Sequence, residues 1–343
     1  MKYWEEINTK LRPWIDTDLN KTVIDLFAGC GGLSLGFEAN GFKTIGYEMD
    51  LNACNTYNLN LLGNCINQTL TVDCEYPKAD VVIGGPPCQP FSVRGKQSGL
   101  KDSRDGFPIF LSAIKQLNPE VFLFENVRGI LYKNKWYLKE VLDTLEDMGY
   151  TINYALLNAV NFEVPQNRER VIVIGAKSKI GLPIPISRVV TAGDALGELA
   201  SQYDDDSKYL TESMDKYIAS YEKASQCIVP RDLHLDRPAR TLTCRNLAGA
   251  TSDMHRIKLE NGKRRRITIR ESARLQSFPD WFEFTGTETQ QFNQIGNAVA
   301  PYFAYHLASN IKKYMKMREL NQYFYTKNEQ LTLFDNEAVY QSR

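Results

Sequence analysis

Little in this 343-residue chain points to a membrane, a metal centre or an oxidising compartment. No stretch of about 18 apolar residues occurs, which argues against a bilayer-crossing helix. Residues 1–20 are polar and carry Glu5, Glu6, Asp16 and Asp18 where a leader would be basic and then apolar, so the expected location is the cytoplasm. The seven cysteines include no C-x-x-C pair; zinc-knuckle spacing is missing, no metal is expected, and an odd thiol count suits a reducing compartment. Net charge is also missing. The 41 basic residues cancel the 41 acidic ones, so any surface for a polyanion must be local.

The chain has enough to fold: 43% hydrophobic and 24% charged residues, over a length that suits one large domain and a smaller one. Lys21 to Phe27 reads as a buried strand, broken by Gly29, Gly31 and Gly32 before a helix from Leu33 to Asn40. Further apolar strands are expected at Thr44–Tyr47, Asp80–Ile83, Val121–Phe124 and Val171–Gly175, with helical stretches at Ile109–Leu117, Lys139–Met148 and Ala298–Met315. This alternation predicts an α/β fold, a doubly wound and mainly parallel sheet with helices on both faces, and ligands at the carboxyl ends of the strands.

Texture changes near residue 180, where prolines and the acidic run Asp204–Asp206 begin a stretch without long helical periodicity. We therefore expect a first domain of residues 1–180 plus 286–325, a second domain of residues 181–285 and a flexible tail at 326–343. From Arg231 to Arg274 twelve Lys or Arg face five Asp or Glu, with Lys263, Arg264, Arg265 and Arg266 consecutive. Such a run is either a nucleic-acid surface or a solvated face.

Three segments carry candidate chemistry. In Asp25-Leu-Phe-Ala-Gly-Cys-Gly-Gly32 small residues let backbone approach a ligand, and Glu48, ending the next strand, can accept from ribose hydroxyls. A merely structural turn is the alternative. The loop lacks full G-x-G-x-x-G spacing, which disfavours a dinucleotide, but it does not by itself separate NAD from S-adenosylmethionine. Gly84-Gly-Pro-Pro-Cys-Gln-Pro-Phe-Ser92 holds Cys88 on a proline-flanked turn just past a buried strand. Lone cysteines are usually inert filler, and a thiol with a pKa of about 8.5 needs partners that stabilise its thiolate or activate its electrophile. Glu125, in Glu-Asn-Val127, also ends a predicted strand, so its carboxyl can converge on Cys88 or can be an ordinary strand-end carboxylate.

These residues resemble the bacterial DNA (cytosine-5)-methyltransferase family of type II restriction-modification systems, whose ordered motifs run here from Asp25 to about Ala308. Asp25–Gly36 resembles its donor-binding motif, Pro86-Pro-Cys-Gln89 its catalytic motif and Glu125-Asn-Val127 its substrate-activating motif. Gln166-Asn-Arg-Glu-Arg170 resembles Q-x-R-x-R, while Arg270–Asp280 and Gln294–Val299 resemble the two motifs that follow the recognition region.

The resemblance implies an S-adenosylmethionine-dependent methyltransferase that acts on duplex DNA without a metal. It implies that Cys88 attacks C6 of an extruded cytosine, that Glu125 activates the ring at N3, and that Arg168 and Arg170 fix the base and its phosphate. The base that removes the C5 proton is unassigned. Around the donor it implies Phe27, Gly29, Cys30, Gly31 and Pro86, with Glu48 at the ribose, Asp73 at the adenine from a strand end, and Asn297 and Val299 closing the pocket. Asn297 could also cap the helix that follows.

A base in duplex DNA must leave the stack to reach such a pocket. The basic, glycine-containing segment Ser92–Arg104, with Arg94 and Lys96, is expected to close over DNA, the alternative being an ordinary surface loop. Residues 181–285 correspond to the recognition region. There Arg231, Arg240, Arg245 and Asn246 are candidates for DNA contact, with base edges read in the major groove and most basic side chains meeting phosphate. Gln330-Leu331-Thr332-Leu333-Phe334, in the tail, resembles the peptide that docks bacterial proteins on the replication sliding clamp, though it could pack on its own domain. A cognate restriction endonuclease would be a further partner. The competing readings are an RNA cytosine-5 methyltransferase, a catalytically idle DNA-binding regulator and, disfavoured by the glycine spacing, a nicotinamide oxidoreductase.

Overall fold

The computed structural model describes residues 1–87, 105–132, 134–202, 209–226, 231–249 and 253–319. Cys88, Arg94, Lys96 and the tail peptide Gln330–Phe334 lie outside them. The strands, in chain order, are β1 (Thr22–Leu26), β2 (Lys43–Glu48), β3 (Asn64–Asn67), β4 (Val81–Gly84), β5 (Val121–Val127), β6 (Thr151–Asn158) and β7 (Glu169–Ala176), followed by a small hairpin, β8 (Arg256–Lys258) and β9 (Arg264–Arg266). The helices are α1 (Tyr3–Lys10), α2 (Gly32–Glu38), α3 (Leu51–Asn60), α4 (Phe107–Leu117), α5 (Lys135–Asp147), α6 (Ala192–Leu196), α7 (Glu212–Ala224), α8 (Cys244–Ala248), α9 (Ile269–Leu275), α10 (Glu288–Asn297) and α11 (Pro301–Glu319).

The first seven strands form one sheet in the order β3-β2-β1-β4-β5-β7-β6, in which only β7 runs antiparallel to its neighbours. The expected doubly wound, mainly parallel sheet is therefore present, and its strand order reverses between β1 and β4. Such a reversal leaves a crevice at the carboxyl ends of these strands.

Strand periodicity assigns each apolar side chain to one of two cores. Val23, Val81, Ile83, Val121 and Leu123 face one side, together with Leu33 and Phe37 of α2 and Ala304, Leu307 and Ile311 of α11. Ile24, Leu26, Val82, Phe122 and Phe124 face the other, against Phe110 and Ala113 of α4 and Leu138, Val141 and Leu145 of α5. Helix α11 lies so close to α2 that a Cβ on Gly36 would stand 2.4 Å from the backbone of Ala304 and Tyr305.

The first core continues without a break into the later segment: Val190, Leu196, Leu242, Leu247, Ile257, Ile267 and Phe278 belong to the same apolar cluster as Leu33 and Phe303. One expectation for that segment needs correction. It does contain a long helix, the thirteen-residue α7, whose start is capped by Thr211 accepting from the Met214 amide. Its stripe of Met214, Tyr217, Ile218 and Tyr221 has helical spacing, but of these only Ile218 is buried, and the two tyrosines face solvent.

Candidate active site at the sheet reversal

The turn leaving β1 is built from unusual backbone: Phe27, Gly29 and Gly31 all have positive φ, at 62°, 55° and 88°. Phe27 pays for this conformation, whereas glycine adopts it without a Cβ clash. Gly29 donates its N–H to Oε2 of Glu48 at 2.9 Å, while Oε1 of Glu48 accepts from the Asp50 amide at 2.8 Å. Each carboxylate oxygen keeps a second lone pair for another donor. A Cβ on Gly29 would meet nothing within 4 Å, so the turn faces open space there.

Val299 joins the same turn. Its carbonyl lies 2.4 Å from where a Cβ on Gly32 would stand, an approach that only glycine permits. Cys30 contributes backbone alone, since its side chain is buried beneath α10 against the Gln294 carbonyl at 3.7 Å and burial pushes its thiol up to about 12. One expectation on this side is corrected, and one alternative reading falls. Asp73 does not end a strand: β3 stops at Asn67, and Asp73 sits exposed in a turn before β4. Asn297 closes α10 rather than capping α11, and its Oδ1 accepts from the Cys244 thiol at 2.8 Å.

The second turn follows β4 and is fastened to β5. The Asn126 amide donates to the Pro86 carbonyl at 3.0 Å, and the Gly106 N–H closes onto the Pro87 carbonyl at 2.9 Å. A Cβ on Gly106 would lie 2.4 Å from Pro87 and 3.0 Å from the Phe27 ring, so the two turns meet edge to edge. Beside them, Oε2 of Glu125 is 3.7 Å from where a Cβ on Gly85 would stand. The structure thus brings Glu125 to the Pro86 turn, one residue short of the described chain's end before Cys88. Asn126, present in the sequence motif without an assigned role, is what ties them.

Arg170 holds Glu125 from the neighbouring antiparallel strand, Nε to Oε1 at 2.6 Å, both side chains being mostly buried. It flanks a cleft of about 490 Å³ bounded by Val127 at the end of β5, Arg128 just after it, Asn167 in the loop before β7, and Arg240 and Thr241 of the later segment. Arg168 is a correction. Only 3% exposed, it points away from this cleft into the protein, where its guanidinium donates to the carbonyls of Leu242 at 2.8 Å, Ala298 at 3.0 Å and Gly296 at 3.2 Å. Burial and the Arg170 charge lower its pKa to about 9.

The basic segment is also reassigned. Arg265 is buried and forked onto both oxygens of Glu271 at 2.7 and 2.8 Å, Arg256 is clamped by Asp232 at 2.5 Å and Glu222 at 2.8 Å, and Arg266 donates to the Leu247 and Ala248 carbonyls. Much of the positive run is internal scaffolding rather than a nucleic-acid face. Asn246 is buried too, its amide spent on Thr243 N–H and the Thr241 carbonyl, and so cannot read a base edge. Arg231 and Arg240 share the Asp253 carboxylate at 3.1 and 2.8 Å, and Arg245 is exposed.

The model of the family of C-5 cytosine-specific DNA methylases matches residues 21–313 of this chain. The chain belongs to that family. It is 53% identical over 317 residues to the type II methyltransferase M.AplI of Arthrospira platensis, covering 91% of both proteins. It is 33% identical over 334 residues to the type II methyltransferase M1.HphI of Haemophilus parahaemolyticus, covering 86% of this chain and 87% of the relative. A solved structure of Spodoptera frugiperda DNMT2 superposes with a TM-score of 0.68 at 17% identity, covering 87% of this chain and all of that one, which shows a shared fold. The sheet described above is the S-adenosylmethionine-dependent methyltransferase fold, and this DNA cytosine-5 methylase carries the family's enzymatic activity.

Proposed function

We propose that this methylase modifies one short sequence in duplex DNA, with Cys88 as nucleophile and Glu125 as ring activator. The observation that carries the proposal is the convergence, at the sheet reversal, of the donor turn, the Pro86 turn that leads into Cys88, and Glu125 held by Arg170. S-adenosylmethionine fits the open ledge at Gly29 and the free lone pairs of Glu48, and when bound it supplies a methyl group on an electrophilic sulfonium. Gly29, Glu48 and Val299 would hold it, with Phe27 packed between it and the catalytic turn.

C5 of cytosine is a poor nucleophile until the ring gains electrons. The Cys88 thiolate forms a bond to C6, and the C5–C6 π pair becomes available at C5, while Glu125 holds a proton at N3 so that charge is drawn away from the attacked carbon. C5 then takes the methyl group as the methyl–sulfur bond breaks. Loss of the C5 proton to a base, for which a water molecule serves, regenerates the double bond and expels Cys88. Arg170 keeps the Glu125 carboxylate aimed through this cycle.

Residues 181–285 form the recognition region in this reading, with exposed Arg245 and the Asp253-held pair Arg231 and Arg240 toward DNA. The protein works in the bacterial cytoplasm, where a restriction endonuclease of the same specificity is its natural counterpart. The tail peptide Gln330–Phe334 is proposed as a sliding-clamp ligand, to be tested by pull-down with Leu333 and Phe334 changed to Ala.

Chemistry is tested by giving the protein S-adenosylmethionine and duplex DNA that carries 5-fluorocytosine, because once C5 has taken the methyl group its fluorine cannot leave as a proton does, and elimination of the thiol stalls. Wild-type protein should become covalently attached to this DNA under denaturing conditions, whereas Cys88→Ala should bind without attachment. Trapping on RNA but not on DNA would move the substrate to RNA, and no trapping on either would overturn the nucleophile assignment.

A further inference from the structure

Arg168 is a buried cation whose described hydrogen bonds go to backbone carbonyls, and those carbonyls come from two distant segments. Leu242 belongs to the recognition region, while Gly296 and Ala298 lead directly to Val299 at the donor turn. Leu242 is gripped at both ends, its carbonyl by Arg168 and its N–H by Oε1 of Gln166 at 2.9 Å. Ala298 is gripped twice as well, its carbonyl accepting from Arg168 at 3.0 Å and from the Gln276 amide at 2.7 Å.

Backbone packing reinforces the link. A Cβ on Gly296 would stand 2.5 Å from the Cys244 N and 2.7 Å from the Thr243 carbonyl carbon, so the start of α8 rests directly on the end of α10. The Cys244 thiol adds its contact to Asn297 Oδ1 at 2.8 Å. One step further, the Val299 carbonyl presses on Gly32, where the donor turn becomes α2. From Leu242 to Gly32 the path runs through the buried bonds of Arg168 to Leu242 and Gly296, its partly buried bond to Ala298, and close backbone contacts made possible by missing side chains.

We propose that Arg168 is a positioning residue that couples the two ligand sites: DNA engaging the segment 240–246 sets Gly296–Val299, and hence the affinity for the donor. The inference rests on DNA and S-adenosylmethionine being the ligands of this chain. Its physical basis is cost. Breaking one bond of the fork leaves a charged donor buried and unpaired, so Leu242, Gly296 and Ala298 move as a unit. Coupling between two binding sites is reciprocal, so the donor must tighten DNA by the same factor.

The test is calorimetric titration of the full chain with S-adenosylhomocysteine, alone and with saturating duplex that contains its methylation site. Wild-type protein should show a DNA-dependent gain in affinity of about tenfold, and Arg168→Lys should reduce it to about twofold or less while still binding each ligand alone. Lysine keeps the charge but cannot span three carbonyls. Should that variant fail to fold by circular dichroism, Gln166→Glu, which keeps the acceptor for Leu242 and loses the donor to Gln276 Oε1 and the Leu275 carbonyl, should show a smaller but definite loss of coupling. Equal coupling in wild type and variant, or none in wild type despite binding of both ligands, would overturn the inference. Failure of wild type to bind either ligand would instead bring down the functional reading on which it rests.

Discussion

The sheet and the later segment that follows it are held together by different physics. Between β1 and β7 the interior is almost wholly apolar: Val82, Ile83, Phe122, Phe124, Ile172 and Val173 are fully buried, and backbone pairing satisfies their polar groups. Between residues 209 and 275 the interior is stapled by ion pairs, Arg256 with Glu222 and Asp232, Arg265 with Glu271, and Arg264 with Asp215 and Asp232. A long parallel sheet buries both faces and can draw stability from area alone. A short hairpin and small helices expose too much surface for that, and here charged side chains take the place of a second apolar layer. The contrast teaches that a positive run in sequence is not yet a DNA-binding surface.

The sharpest way to break this comparison is Arg265→Leu, which leaves Glu271 buried without its partner. Urea unfolding should show a loss of about 3–5 kcal/mol, and the double change Arg265→Leu with Glu271→Leu should recover most of it. A loss below about 1 kcal/mol for the single variant would mean that the pair is solvated in solution. In the apolar half the matching test is steric. Gly36→Ala forces a methyl group into the Ala304–Tyr305 backbone and should cost about 1–3 kcal/mol by separating α2 from α11.

These same differences govern what could be read from sequence. The strands β1, β2, β4, β5 and β7 were legible because they are apolar runs that end in glycine or a carboxylate. Strand β3 was not, since four residues with only Cys65 buried leave no pattern, and β6 was missed because its side chains are mostly half-buried in an antiparallel edge pairing. In the candidate site, Glu48, Glu125, Pro86 and Val299 could be placed from motifs, because local turn chemistry sets their positions. Arg168 and Asn246 could not: their side chains turn inward to partners 74 and 3 residues away, and nothing in a motif tells a contact with substrate from a contact with the chain itself.

Smaller effects sharpen the picture. Burial in β1 pushes the Asp25 carboxyl up to about 7 from an ordinary value of 3.8, against the Ser34 hydroxyl that donates to it at 2.7 Å. Folded protein therefore keeps this proton where unfolded chain has lost it; the resulting stability is complete below pH 3.8 and is gone once pH has risen through about 7. Asp25→Asn should flatten the decline of Tm across that window, and an unchanged slope would assign the decline to other groups. The smallest change in stability is expected for exposed Arg245→Ala, within about 0.5 kcal/mol, yet it should weaken DNA binding and lower the salt slope by about 1. Arg245→Ala binding with wild-type affinity and salt dependence would remove that arginine from the interface.

The central claim, that this chain methylates cytosine at C5 within one short duplex sequence, is tested most directly by incubating purified protein with S-adenosylmethionine and unmethylated genomic DNA, then mapping protected cytosines by bisulfite sequencing. The account predicts protection confined to a single motif, complete for wild type and absent for Cys88→Ala. Protection that is scattered without a motif would contradict the sequence specificity, and wild-type DNA indistinguishable from the Cys88→Ala control would contradict the reaction itself.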